Sequence, residues 1–171
     1  ALAPHLTPGF LTEALAIAWA TKDADARAQA LSALAPYLPP NLQRRALAAI
    51  RAIGDIDARA RALSALAPHL SPELLAEALA AICTIEWEYA RVQAFSALIP
   101  YLPPDLQQQA LAEALATVRT IRDEDVRVRA LSALVPHLTL ELLPKALAAA
   151  QAIEDVNARA QALGALAPYL P

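Results

Sequence analysis

The chain has 171 residues, 57% of them hydrophobic, with three glycines and a net charge of −3 from 14 basic and 17 acidic residues. That apolar content excludes a disordered tail, and the basic residues are spread singly rather than gathered into a stripe, so nucleic acid is not an expected partner. A single cysteine, Cys83, excludes an internal disulfide and a cysteine-rich metal site, and points to an intracellular, cytoplasmic setting.

Alanine and leucine dominate while β-branched and aromatic residues are sparse, which favours helices and leaves little from which to build a sheet. The longest uncharged run, residues 28–43, contains Pro36, Pro39 and Pro40 and is shorter than the roughly 20 apolar residues a spanning helix needs. An all-α, water-soluble chain with no membrane partner is predicted. The chain opens inside a repeat, contains no methionine, and reads as an excised stretch of a longer array.

The string L-x-P-[YH]-L recurs with its proline at positions 4, 36, 68, 100, 136 and 168, a spacing of 32 residues with one of 36. One repeat domain over residues 1–171 follows, in five copies (7–38, 39–70, 71–102, 103–138 and 139–170) after a partial copy, 1–6. Each copy predicts two helices. The first starts at a Thr-Pro, Ser-Pro or Pro-Pro pair, as at Ser71-Pro72, where Ser71 is the expected N-cap and Glu73 favours the positive helix end. It breaks at strings such as I-G-D-I-D, with Gly54 where a helix must end and Asp55, Asp123 and Asp155 placed to cap the second helix. The second helix runs A-R-A-x-A-L-S-A-L-A-P-[YH]-L, and its proline should kink or end it.

Taken in order, copy 1 carries Phe10 and Trp19, read as packing residues. Copy 2 is regular, with a broad apolar stripe through Ala62, Leu63, Ala65, Leu66 and Leu70 that only neighbouring copies could cover. Copy 3 departs most, reading C-T-I-E-W-E-Y-A, with Trp87 at the capping position and Tyr89 at the outward one. Two readings of Trp87 stay open: an exposed binding anchor, or local core folded over the helix junction. Copy 4 holds four extra residues near Glu113, which predict one more turn of its first helix rather than a loop, since four residues turn the helix by about 400°. Copy 5 closes the series.

The second helices D-E-D-V-R-V-R-A-L-S-A-L from Asp123 and D-V-N-A-R-A-Q-A-L-G-A-L from Asp155 resemble the D-x-x-[VA]-R-x-x-A-x-x-A-L string of HEAT and HEAT-like repeats. The resemblance covers nearly the whole chain. It implies a right-handed α-solenoid, with Asp23, Asp55, Asp123 and Asp155 and with Arg27, Arg59, Arg91, Arg127 and Arg159 recurring as a polar ladder. The unit is shorter than most HEAT units, and its proline sits in the second helix rather than the first. The A-P-[YH]-L-[PST]-P string is similar to near-identical helical arrays attached to large bacterial signalling proteins. The four-residue Asp to Arg spacing also permits an ion pair within one helix turn.

A second period overlies the first. Tyr37, Tyr101 and Tyr169 are followed two places on by Pro39, Pro103 and Pro171, whereas His5, His69 and His137 are followed by Thr7, Ser71 and Thr139. A tyrosine ring can pack on proline and an imidazole can hydrogen-bond a hydroxyl at the helix cap. The histidines lie two copies apart, roughly 20 Å at ordinary helix spacing, so no shared metal is expected.

Serines 32, 64, 96 and 132 lack an activating partner and read as packing or surface residues, and Cys83, beside Glu86 with no adjacent cation, reads as inert. No enzyme activity and no cofactor are predicted. If the second helices line a concave face, as in HEAT arrays, the outward stripe runs through Asp25 and Gln29, Asp57 and Arg61, Tyr89 and Gln93, Asp125 and Arg129, then Asn157 and Gln161. With Trp87, the residues from Asp57 onward form the candidate surface for a protein or peptide. Neither terminal copy replaces its apolar face with polar residues, which invites end-to-end association. The competing readings are a purely structural or engineered fragment with no ligand, and a HEAT-like lyase or glycosylase.

Overall fold

In this computed structural model residues 7–170 are described. The partial copy 1–6, with His5 and Pro4, and Pro171 lie outside them. The described chain is all-α, and it divides into two compact units, Ala1–Thr84 and Ile85–Pro171. The first contains α1 (Pro8–Ala20), α2 (Ala24–Leu34), α3 (Pro40–Arg51), α4 (Ile56–Leu66) and α5 (Pro72–Cys83). Within it α1 packs on α2 and α3 on α4, while α2 packs on α4, α1 on α3 and α3 on α5. The second contains α6 (Glu88–Leu98), α7 (Pro104–Thr120), α8 (Glu124–Leu134), α9 (Leu143–Gln151) and α10 (Val156–Leu166). There α7 packs between α6 and α8, α6 packs on α8, α8 on α10, and α9 on both α7 and α10.

The boundaries follow from proline chemistry. In α1, α3, α5 and α7 proline opens the helix, where its missing N–H would have had no intrahelical partner. Every second helix ends two residues before its own proline, and the chain tightens into a 3-10 turn at Ala35–Tyr37, Ala67–His69, Ile99–Tyr101, Val135–His137 and Ala167–Tyr169. The imino nitrogen there cannot continue the i to i−4 ladder, so the helix stops. No described residue, glycine included, has a positive φ, so Gly54 is not a left-handed helix stop and Ala52 closes α3 in ordinary helical geometry.

α7 has 17 residues against 12 in α3 and α5, and Glu113 lies inside it, so the four added residues form a helical turn. Copy 5 departs from the expected start. Thr139 is followed by Leu140 rather than proline, a turn spans residues 140–142, and α9 opens only at Leu143. Pro144 accounts for this: a start at residue 140 would leave it in the helix interior, whereas the later start puts it within the first two positions.

The interior of each unit is alanine and leucine. Leu15, Leu31, Leu47, Ile50, Leu66 and Ile82 are fully buried in the first unit, and Phe95, Leu98, Leu111 and Leu131 in the second. Buried alanines such as Ala46, Ala58 and Ala62, or Ala94, Ala110 and Ala130, alternate with them, which lets helix backbones approach closely. Phe10 and Trp19, expected to pack, are exposed, because the face of α1 that carries them is turned to solvent.

Candidate functional site

The surface of interest is built on the junctions between first and second helices. Asp23, Asp55, Asp123 and Asp155 occupy the N-cap positions of α2, α4, α8 and α10 in extended backbone geometry. Each carboxylate accepts a hydrogen bond from the amide three residues on, at Ala26, Ala58, Val126 and Ala158, over 2.7 to 2.9 Å. One orphan donor of each helix is thereby satisfied. Ser71 sits at the N-cap of α5 but its side chain does not cap. Its hydroxyl instead meets the Glu73 carboxyl, which its own backbone amide and then that hydroxyl hold below the usual carboxylate range.

The arginines four residues after the caps do not bridge them. Each reaches back to the end of the preceding first helix: Arg27 Nε donates to the Thr21 carbonyl at 2.8 Å, Arg91 Nε to Ile85 at 2.7 Å, Arg127 Nε to Ile121 at 2.9 Å and Arg159 Nη1 to Ile153 at 2.9 Å. Arg27 and Arg127 also touch the next copy, through the Ala52 and Ala152 carbonyls. A cation at a helix C-terminus that also satisfies its loose carbonyls is favoured twice, by hydrogen bonding and by the helix dipole. Arg59 is the exception, its Nε buried without a hydrogen-bond partner.

At Trp87 this scheme keeps its backbone and changes its side chain. Trp87 is the N-cap of α6 with no capping hydrogen bond, and it is 48% exposed. Its indole meets the Tyr89 ring edge to face, with centroids 6.2 Å apart at 62°. The Arg129 guanidinium lies 5.6 Å from the centre of that Tyr89 ring, within cation–π range. Three of the sequence-predicted residues, Trp87, Tyr89 and Arg129, are thus brought together across copies 3 and 4 on successive second helices, α6 and α8. Beside them lies a concavity of about 240 Å³ lined by Trp87, Glu88, Tyr89, Ile121, Arg122, Asp123 and Val126.

The remaining predicted residues are not gathered there. Arg61 pairs with Asp25 of the preceding copy, both exposed, while Asp57 is exposed nearby on α4. Gln93 is half-buried on α6, and Asp125 is exposed with its carbonyl accepting from Arg129 Nε. Asn157 and Gln161 are exposed on α10. Reading the sequence by copy missed Ile121, Arg122 and Val126, which line the groove from the following copy. The signal was present: they belong to the copy next to the anomalous Trp87.

The expected imidazole to hydroxyl pairing does not form at His69 or His137, since Thr139 Oγ1 is buried without a hydrogen-bond partner and Ser71 meets Glu73, while the His5 pair lies outside the described residues. His137 is half-buried, and burial holds its pKa below the ordinary imidazole value. Among the serines, Ser64 bonds back to the Ala60 carbonyl, and Ser96 crosses to Ala133 of the next copy at 2.8 Å. Among the described residues no group of three His, Cys, Asp or Glu is arranged to hold a metal ion, and no helix is long and apolar enough to cross a membrane. No protein-family model, no curated protein and no solved structure matches the chain.

Proposed function

We propose that this chain is a protein-binding scaffold, a right-handed α-solenoid of HEAT-like helix pairs whose second helices form a concave face for a protein or peptide segment. The resemblance of its second helices to HEAT repeats, and to arrays attached to large bacterial signalling proteins, motivates that reading. Helix packing within each unit is compatible with it, because α1, α3, α7 and α9 each meet the second helix of their own copy, and α1 packs on α3, α3 on α5 and α7 on α9.

The observation that carries the proposal is the cluster of Trp87, Tyr89 and Arg129 beside the groove at α6 and α8. Aromatic and arginine side chains dominate binding energetics because they offer large contact area at little entropic cost. Here the two rings and the guanidinium already support one another, so ordering them on binding costs less than for three independent side chains. The test is selection from a random peptide display library on the immobilised chain. Selected peptides should lose at least about tenfold in affinity against Trp87→Ala/Tyr89→Ala, the effect expected of a hot spot, and retain it against Asn157→Ala. Equal affinity for the Trp87/Tyr89 variant and the parent chain would remove the reading.

A further inference from the structure

Where first helices of successive copies lie side by side, their polar side chains answer one another in one place and not in another. Between α3 and α5, Arg44 forms an ion pair with Glu77 at 3.1 Å. At the same positions copies 4 and 5 carry Gln108 and Lys145. Gln108 Nε2 donates instead to Glu141, in the turn before α9, at 2.8 Å, and Lys145 is left over. A groove of about 390 Å³ opens there between α7 and α9. Leu115, Ala116, Pro144 and Ala148 give it an apolar floor, and the charged side chains of its lining are Arg119, in the last turn of α7, and Lys145, in the first turn of α9. Both walls are helices of this chain, and two irregularities of the repeat meet in them. The lengthened stretch of α7 supplies Leu115 and Ala116, and Pro144 is the residue that delays α9. Among the described residues Arg119 and Lys145 take part in no ion pair or hydrogen bond, and both are exposed. Helix electrostatics account for Arg119, at a C-terminal end, but not for Lys145, which stands at the positive end of α9 where copies 1 and 3 carry Glu13 and Glu77.

We propose that this groove is a docking site of its own, and that its occupant is a peptide segment presenting an apolar side chain between two carboxylates. Charge complementarity selects that occupant. Two cations without a counter-charge, set in a chain of net charge −3, call for anions, and the floor between them calls for an apolar body. A bare inorganic anion would leave the floor uncovered, whereas a basic segment would cover the floor and face two like charges. Because Arg119 and Lys145 are exposed, the carboxylates contribute selectivity and a salt-dependent on-rate. Burial of the apolar side chain against Leu115 and the alanines contributes the affinity. The site stands on the first helices α7 and α9 and uses none of Trp87, Tyr89 and Arg129, so it is independent of the function proposed above.

An array of short immobilised peptides, probed with the fluorescently labelled full chain, tests it. The probe series carries a Leu-Leu or Leu-Phe pair with aspartate or glutamate at varied spacing on either side. One matched series replaces the acids by lysine, and another replaces the apolar pair by serine. The acid-flanked apolar series should be retained above both controls, and more weakly as salt rises from about 0.05 to 0.5 M. Arg119→Glu/Lys145→Glu should lower its affinity at least about tenfold and shift preference to the lysine-flanked series. Trp87→Ala/Tyr89→Ala should leave it unchanged. Both substituted cations are exposed, so far-UV circular dichroism should not change, and Arg119→Gln/Lys145→Gln, which should erase the preference for acids, repeats the test if the charge-reversed chain loses helicity. Retention of the acid-flanked series no better than that of the lysine-flanked or serine series, a preference for acids that survives the charge reversal, or loss of binding with Trp87→Ala/Tyr89→Ala would each overturn the proposal.

Discussion

The junction before α6 and the junction before α8 share a backbone and differ in the side chains they carry, above all at the cap, where Trp87 stands against Asp123. Trp87 and Asp123 hold the same extended N-cap backbone, at φ −78° and ψ 115° against φ −73° and ψ 121°. Behind each, an arginine closes the preceding segment, Arg91 on the Ile85 carbonyl and Arg127 on Ile121. Yet Asp123 caps Val126 while Trp87 caps nothing and presents an indole to solvent. Frame and surface are therefore separable in this chain: buried apolar side chains and the arginine clip fix the backbone, and the cap position is free to vary. What copy 3 forgoes is a cap worth about 0.5–2 kcal/mol.

The largest test asks whether the copy 3 frame is as firmly packed as its neighbour. Phe95, fully buried on α6, stands where the other second helices have leucine, and Phe95→Ala should cost about 3–5 kcal/mol in urea denaturation. A loss below about 1 kcal/mol would mean that the aromatics rest on a loose floor, and the comparison would fail. Next comes the clip. Arg127→Leu strands the Ile121 carbonyl, which accepts from both Nε and Nη2, and should cost about 1–3 kcal/mol. Arg59→Leu removes a side chain whose Nε is already unsatisfied and should cost measurably less in the same assay. Equal losses would show that packing of the arginine stem, rather than carbonyl closure, holds the junction.

The smallest effect separates the turns that follow the two helices. After α6 stands the exposed Tyr101, and after α8 the half-buried His137, whose burial keeps its pKa below the ordinary value of 6.5. The unfolded chain binds this proton more readily than the folded one. The contribution is therefore complete above 6.5 and is lost as pH falls from there through the folded value. His137→Tyr, which gives copy 4 the residue of copy 3, should flatten part of the decline in Tm between about pH 7 and pH 5. An unchanged slope would place the imidazole effectively in water.

Much of the local fold was legible because it depends on neighbours in sequence. Proline at Pro72 and Pro104 opens helices, Asp55, Asp123 and Asp155 cap them, and the extra turn near Glu113 follows from the four-residue period. What escaped depends on groups brought together only by folding. Arg127 was read against Asp123 one turn away, yet its guanidinium goes to carbonyls six residues behind and to Ala152 of the next copy. The delayed start of α9 was hidden by the repeat itself, which suggested residue 139 and drew attention away from Pro144. At the candidate site the sequence named Trp87, Tyr89 and Arg129, and only the fold brings Arg129 onto the Tyr89 ring and supplies the groove walls at Ile121 and Arg122. The Trp87 environment was the question that pattern could not decide, since the same position serves an anchor or a lid.

The stability of Trp87→Asp, measured by chemical denaturation against the parent chain, tests this most directly. With the N-cap backbone already in place, aspartate should restore the missing hydrogen bond to the α6 amide at residue 90 and raise stability by about 0.5–2 kcal/mol. A loss of stability would contradict the account, because it would show that the indole packs as core and that copy 3 gave up nothing to display it.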